Sequence, residues 1–378
     1  MKDLNKLDRI KIFCDLSLDK EIREEIIKNL SGVVLSHQGK YLWLGTDEFT
    51  AIERFTRLDG GEFGEHKRFY FKEFIDDFNE EKGEVDIEGL DYSDGYLWIV
   101  GSHSSKTIKI KIDKDKFELD NKELKKVERE ENRYLLARIP VNGSGELEPN
   151  SPQKAWLKRD GSNNLLTKAF AKDEYLNLAK MTKGNNNKTL PGEEFYLYLP
   201  SKENGLDIEG LAVFGNKILL GFRGPVLRGI AILLEIEVEE GSLHELTLKA
   251  IGDEGRQYKR HFLDLDGLGI RELCFEADNG NLLILAGPTM DLDGSHSLFR
   301  LKQPLTLNDN SLSSQKNKQL EHLGDIPHGK KSDRAEGLTL DGETNSILVV
   351  YDSPTEERLI VEDRDDIVGV HADIFPLP

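Results

Sequence analysis

A short cassette recurs along the chain: Asp86-Ile87-Glu88-Gly89-Leu90, Asp207-Ile208-Glu209-Gly210-Leu211, Ile270-Arg271-Glu272-Leu273 and Arg334-Ala335-Glu336-Gly337-Leu338, with a weaker copy at Leu30-Ser31-Gly32-Val33. Each copy is followed by a turn and an apolar run, Tyr41 to Leu44, Tyr96 to Val100, Ile218 to Leu220, Leu282 to Ala286 and Ile347 to Val350. Self-similarity at a fixed period is the mark of a repeat architecture. A repeated hairpin that opens on a carboxylate brings several carboxylates together only where the repeats close on themselves.

The intervals from Ser31 through Glu88, Glu209, Glu272 and Glu336 are 57, 121, 63 and 64 residues. A period near 60 suits a four-stranded propeller blade with generous loops. The double interval holds either an insertion or a unit that has lost its cassette. The expectation is an all-β fold, one β-propeller domain over residues 1–378, with six blades filling the length and five or seven left open. Leu4 to Phe13 reads as a strand that pairs with the last blade and closes the ring. Ser17 to Leu30, with Ile22, Ile26 and Leu30 on one face, reads as a short helix capped by Ser17, and 160–181 as a helical insertion. The charged stretch Thr107 to Arg133, the run Gly184 to Lys188 and the polar run Asn308 to Lys318 read as excursions and loops.

Fifty-one Lys and Arg stand against 70 Asp and Glu, a net charge of −19. That balance argues against nucleic acid or an anionic membrane as partner of the whole surface. No segment approaches the roughly 20 apolar residues of a membrane span, and the start has no signal-like core. The chain is therefore expected to be soluble and cytoplasmic. Cys14 and Cys274 lie among apolar neighbours and read as buried thiols.

The segments after each partner strand share an edge with the cassettes. They carry Asp47 and Glu48, the Ser102-His103-Ser104 run, the Gly221 to Gly229 loop with Arg223 and Arg228, the Gly287 to Asp291 run and Asp352. Four long runs resemble a known family: Pro200 to Leu206 leading into the second cassette, Gly221-Phe222-Arg223-Gly224-Pro225-Val226-Leu227-Arg228-Gly229, Leu285 to Met290, and Val349 to Pro354. They look like the bacterial domain of unknown function 3616. The resemblance spans nearly the whole chain and implies a soluble, propeller-like protein with no assigned role. More distantly, the layout is similar to phytase-like and esterase-like propellers, which bind calcium and phosphate with channel-facing carboxylates and basic residues. The chain departs from that layout at Ser31, in the place of a glutamate, and at Leu273, read as replacing the cassette glycine. No phytase ligand set carries over residue by residue.

Glutamates converging on one mouth repel unless they hold a cation, pair with arginines or take up protons. An all-oxygen donor set favours Ca2+ or Mg2+ over zinc, and no organic cofactor is expected. The candidate metal ligands are Glu88, Glu209, Glu272, Glu336 and Glu48. Arg223, Arg228, Arg271, Arg334 and Lys202 are the candidate contacts to a small anionic ligand, phosphate or carboxylate. His103 is a candidate general base with Asp352 as its orienting acid, although Ser102 and His103 point to opposite faces of a strand and make a poor nucleophilic couple. The expected function is a metal-assisted phosphoester or ester hydrolase. The alternative is a non-catalytic ligand-binding or protein-interaction propeller in which the same Glu and Arg residues are structural pairs.

Overall fold

The structure is a computed structural model that describes residues 3–106, 127–161, 163–171, 173, 199–290, 292–362 and 366–377. In chain order, β1 (Asp8–Phe13) and helix α1 (Lys20–Lys28) precede four antiparallel strands, β2 (Leu30–Ser36), β3 (Tyr41–Thr46), β4 (Ala51–Arg57) and β5 (Phe63–Tyr70). A second set follows: β6 (Ile87–Ser93), β7 (Tyr96–Gly101), β8 (Leu136–Pro140) and β9 (Ala155–Leu157). Helix α2 (Leu165–Phe170) leads to β10 (Asp207–Phe214), β11 (Lys217–Gly224), β12 (Ala231–Glu240), β13 (Glu245–Leu248) and β14 (Lys259–Leu263). The fourth set is β15 (Gly269–Glu276), β16 (Asn281–Gly287) and β17 (His296–Leu301), then β18 (Ser311–Ser313), which joins β14, and β19 (Leu320–Ile326). The last is β20 (Arg334–Asp341), β21 (Ser346–Asp352), β22 (Leu359–Glu362) and β23 (Asp366–Pro376).

The cassette strands neighbour one another in a cycle: β2 lies against β6, β6 against β10, β10 against β15, β15 against β20, and β20 against β2. This is an all-β, propeller-type ring. Among the described residues it contains five such hairpins. β6 and β10 touch directly, and the described residues of the long interval between them include outer strands and α2.

Side-chain size accounts for the repeated Gly-Leu step. A Cβ on Gly89 would stand 2.7 Å from Leu211 Cβ, one on Gly210 2.6 Å from Leu273 Cγ, and one on Gly337 2.8 Å from Val33 Cγ1. Each cassette glycine thus receives the branched residue of the next cassette, and five inner strands crowd the axis without strain. Outside them the sheets stack blade on blade, as where Leu97 and Ile99 of β7 join Trp43 of β3 and Ile52 of β4 in one buried cluster.

β1 pairs with β23 from Asp8↔Ile374 to Phe13↔Gly369 and touches β5 at Ile12↔Phe63, so the N-terminal strand clasps the last sheet to the first, as expected. Helix α1 starts later than expected, because Asp19 rather than Ser17 caps it, accepting from the Glu21 amide, while Ser17 bonds Asp15. Asn164 caps α2, which realises part of the expected helical insertion. The rest of that insertion, the run 184–188, and most of Thr107–Arg133 lie outside the described residues. The polar run from Asn308 contains the short strand β18. Cys14 is buried, Cys274 half-buried, and both are free thiols. No helix among the described residues is long and apolar enough to cross a membrane.

Candidate functional site

Strand pairing aligns the cassettes residue by residue. Each inner hairpin shifts register within its cassette: over one residue between Ile87 and Gly89, Ile208 and Gly210, Ala335 and Gly337, and Ile270 and Glu272, and over two between Leu30 and Val33. Such a bulge leaves its extra residue unpaired and re-aims it. The bulged residues are therefore Glu88, Glu209, Glu336, Arg271 and, in the first copy, the Ser31-Gly32 pair. This corrects the sequence alignment of the fourth copy. Arg271, not Glu272, occupies the glutamate position, and Glu272 occupies the glycine position.

Glu272 accordingly leaves the set of candidate metal ligands. It is fully buried and accepts backbone N–H bonds from Leu273 at 2.9 Å and Leu211 at 3.4 Å. Burial pushes its carboxyl well above the ordinary range, against the pull of those amides. It ties inner strands together and does not line the mouth.

The other bulged residues surround a cavity of about 310 Å³ at one end of the ring. Arg271 spans two of its ring neighbours, with Nη1 2.6 Å from Glu336 and 3.2 Å from Glu209. Arg223, at the end of β11, reaches Asp207 at 2.5 Å and Glu209 at 2.7 Å. Ser31 donates its hydroxyl to the Ile87 carbonyl, a contact of the first cassette with the second. One carboxylate oxygen each of Glu88, Asp207 and Glu209 lies within 4.8 Å of the others. Burial raises all four of the acids Asp207, Glu88, Glu209 and Glu336. Asp207 reaches about 6, and Glu209 and Glu336 about 7, because the arginines offset part of the desolvation. Glu88 is pushed well above its ordinary value, first by burial and then by Glu209, Asp86 and Asp207.

On the first-sheet side, Asp47 also lines the cavity, with a buried Oδ1 that has no hydrogen-bond partner. Burial, then the charges of Asp86 and Asp352, push it up to about 8. Glu48 and Lys202 line the cavity with exposed side chains. Arg334 lies 3.6 Å from Asp352, its cross-strand partner in the β20–β21 hairpin, and both line the cavity. Sequence reasoning missed Arg133, which ends the charged stretch and reaches in from a 3-10 turn to pair with Asp86, Glu84 and Glu130. No cassette spacing marks it. Asp86 and Asp207, the acids two residues before the cassette glutamates, were visible in the motif, yet they belong to the mouth as fully as the glutamates do.

Two expected site residues stand elsewhere. Arg228 is exposed on the turn beyond β11 in a left-handed conformation, φ 55°, and does not line the cavity. His103 is fully buried beside α2, with Nδ1 2.8 Å from the Gly101 carbonyl and Nε2 2.7 Å from the Asn164 side-chain nitrogen. With Nδ1 donating and Nε2 accepting, both nitrogens are spent, and burial lowers the ring to about 4. Asp352 is a mouth acid, not the orienter of this ring. His103 holds the α2 cap against the second sheet. His103→Leu is expected to leave Asn164 short of a buried acceptor and to cost about 1–3 kcal/mol in urea unfolding without changing any ligand affinity of the mouth.

Solved structures resemble the chain at low identity. The β-propeller domain of Myceliophteria thermophila Cps50 (Swd1) is 8% identical, with 99% of this chain and 100% of that one covered at a TM-score of 0.40. The PQQ-bound aldose sugar dehydrogenase of Streptomyces coelicolor is 12% identical, with 99% and 98% covered at 0.38. A 6-phosphogluconolactonase-like protein of Bacteroides uniformis is 10% identical, with 91% and 71% covered at 0.32. Likeness at this level transfers no chemistry. No curated protein matches the chain. The model of the family described as protein of unknown function (DUF3616) matches residues 29–369, and the chain belongs to that family.

Proposed function

We propose that the chain is a single-domain, five-bladed, cytoplasmic propeller that binds a hard divalent cation, Ca2+ or Mg2+, through Glu88, Asp207 and Glu209 and holds a small phosphoester or carboxylic ester against it for hydrolysis. The observation that carries this reading is the meeting of three carboxylate oxygens within 4.8 Å, all buried or half-buried. The donor set fits the ion: oxygens around Ca2+ at 2.3–2.6 Å lie at most about 5 Å apart. Asp207 Oδ2 lies 2.5 Å from Arg223 and Glu209 Oε2 3.2 Å from Arg271, so a cation would share both oxygens with an arginine. Glu88 is paired with no base among the described residues. Among the described residues the lining counts nine carboxylates against six Lys and Arg, an excess that favours a cation before a bare anion.

When bound, the ion would polarise an ester oxygen and acidify water. The residues supply the rest. Arg223 and Arg271 fix Glu209 and Glu336 in place, and Lys202 at the rim offers a mobile ammonium to an incoming anion. Asp47, neutral below about pH 8, can donate or hold a proton beside the cluster.

A second reading, a non-catalytic propeller with structural ion pairs, is favoured by one observation: Arg271 already bridges Glu209 and Glu336. Melting curves with EDTA, Ca2+ or Mg2+ separate the two. The proposal expects a rise of several degrees in the wild type at saturating ion and none in Glu88→Gln, whose EDTA melting temperature is no lower than wild type. A phosphatase and esterase panel should show turnover that EDTA abolishes. Identical wild-type melting with and without either ion would leave only the structural-pair reading.

A further inference from the structure

Among the described residues six Lys and Arg line the mouth, and five of them, Lys106, Arg133, Arg223, Arg271 and Arg334, each lie within ion-pair distance of an acid. Lys202 is the sixth, an exposed side chain with which no carboxylate among the described residues pairs. Its place is fixed by the turn that carries it, Ser201–Glu203, which ends on Asn204 in a left-handed conformation, φ 63°. The Asn204 side chain accepts from the Val226 amide at 2.9 Å and from Thr289 Oγ1 at 3.2 Å, which sets the Lys202 turn beside the loop that follows β16. That loop lends the cavity Met290 and Leu292, while the remaining apolar residue of the lining, Leu30, is only 2% exposed. Leu292 is 56% exposed and Met290 half-buried, so two apolar side chains with surface still to bury stand on the same side of the mouth as its unpaired cation.

We infer that Lys202, Met290 and Leu292 select the ligand of the mouth, a phosphomonoester of an aryl or alkyl alcohol, whose anionic group meets the Lys202 ammonium and whose apolar part packs on Met290 and Leu292. This deepens the proposed function and rests on its reading of the mouth as an ester site. Of the two ester classes, a carboxylic ester carries no charge for Lys202 to meet, whereas a lysine is a point-charge partner for phosphate. A sugar or other polyol ester would lay its hydroxyls against two side chains that offer no N–H or O–H, and a hydroxyl that loses water without gaining a partner is disfavoured. An aryl or alkyl group in the same place leaves water for an apolar wall, which is favourable in proportion to the area covered.

The test is calorimetric titration of the full chain with phenyl phosphate, glycerol phosphate and inorganic phosphate, once in EDTA and once with whichever of Ca2+ and Mg2+ raises the melting temperature. Phenyl phosphate is expected to bind about tenfold tighter than glycerol phosphate. Leu292→Ser and Met290→Ser should each weaken phenyl phosphate by about three- to tenfold and leave inorganic phosphate unchanged, while Lys202→Gln should weaken all three by a common factor. Lys202 and Leu292 are exposed, so their variants should melt with the wild type. Should Met290→Ser fail to fold, Leu292→Ser carries the apolar arm alone. The melting response to the ion without phosphate reports the cation reading separately. Selective binding in EDTA with no ion response would remove that reading and keep this one. Equal affinity for phenyl and glycerol phosphate, no binding of any phosphate, or a preference that survives the Leu292 and Met290 variants would overturn the inference.

Discussion

Replacing Arg271 with glutamine is expected to lower the unfolding free energy by about 3–5 kcal/mol at pH 8, the range seen when one partner of a buried ion pair is removed. Its guanidinium is the base shared by Glu209 and Glu336, and all three side chains are nearly withdrawn from water. Without it both acids must stay protonated or stand charged and buried. The effect has a defined pH dependence. Glu209 and Glu336 titrate at about 7 in the fold against an ordinary 4.5, so the folded state binds protons the unfolded chain has released. A raised acid costs stability progressively as pH rises from about 4.5 to its folded value and nothing below. Loss of Arg271 raises both values further, so the deficit of the variant should be small near pH 4.5, grow through neutrality and be complete only above pH 7. Urea unfolding at pH 5 and pH 8 checks this. Equal deficits at the two values would mean that lost packing, not charge, is responsible.

Deletion of residues 3–13 is expected to cost of order 5 kcal/mol and to promote aggregation. β1 contributes six paired positions along β23 and buries Ile12 to 1% exposure between the first and last sheets. Antiparallel bonds at about 1 kcal/mol each and a fully buried isoleucine at about 1.5–3 kcal/mol reach that size. The loss also bares the β23 edge, a template for pairing with other chains. Calorimetry on the truncated chain would show a broadened transition at lower temperature. A transition within a degree of wild type would mean that the sheets close without the clasp.

Much of the ring was legible in the sequence because its packing rule is written in the cassette. Gly89, Gly210 and Gly337 are small where Leu211, Leu273 and Val33 need space. The fourth copy misled because Ile270-Arg271-Glu272-Leu273 contains a glutamate one residue past the position where the others carry it. Only the bulge register shows that Arg271 took the acid's place and that Glu272 turned to the backbone amides. The blade number was not legible because the interval between Glu88 and Glu209 is long, and length alone cannot tell an inner hairpin from outer strands with an insertion. His103 between two serines resembled a catalytic group, yet its partners, the Gly101 carbonyl and Asn164, come from the fold and not from the motif. Arg133 lies outside every repeated pattern. A lone arginine at the end of a charged stretch carries no signal until the chain is folded.

Arg271 and Glu336, 65 apart in sequence, occupy equivalent bulges of adjacent inner strands and are paired across the mouth at 2.6 Å. A double-mutant cycle of Arg271→Gln and Glu336→Gln in urea unfolding at pH 8 reads that pairing. A coupling energy above about 1.5 kcal/mol is expected, within the span found for residues in one ion-pair network. A coupling below about 0.3 kcal/mol, with the two losses simply adding, would mean that the two side chains are not paired across the mouth.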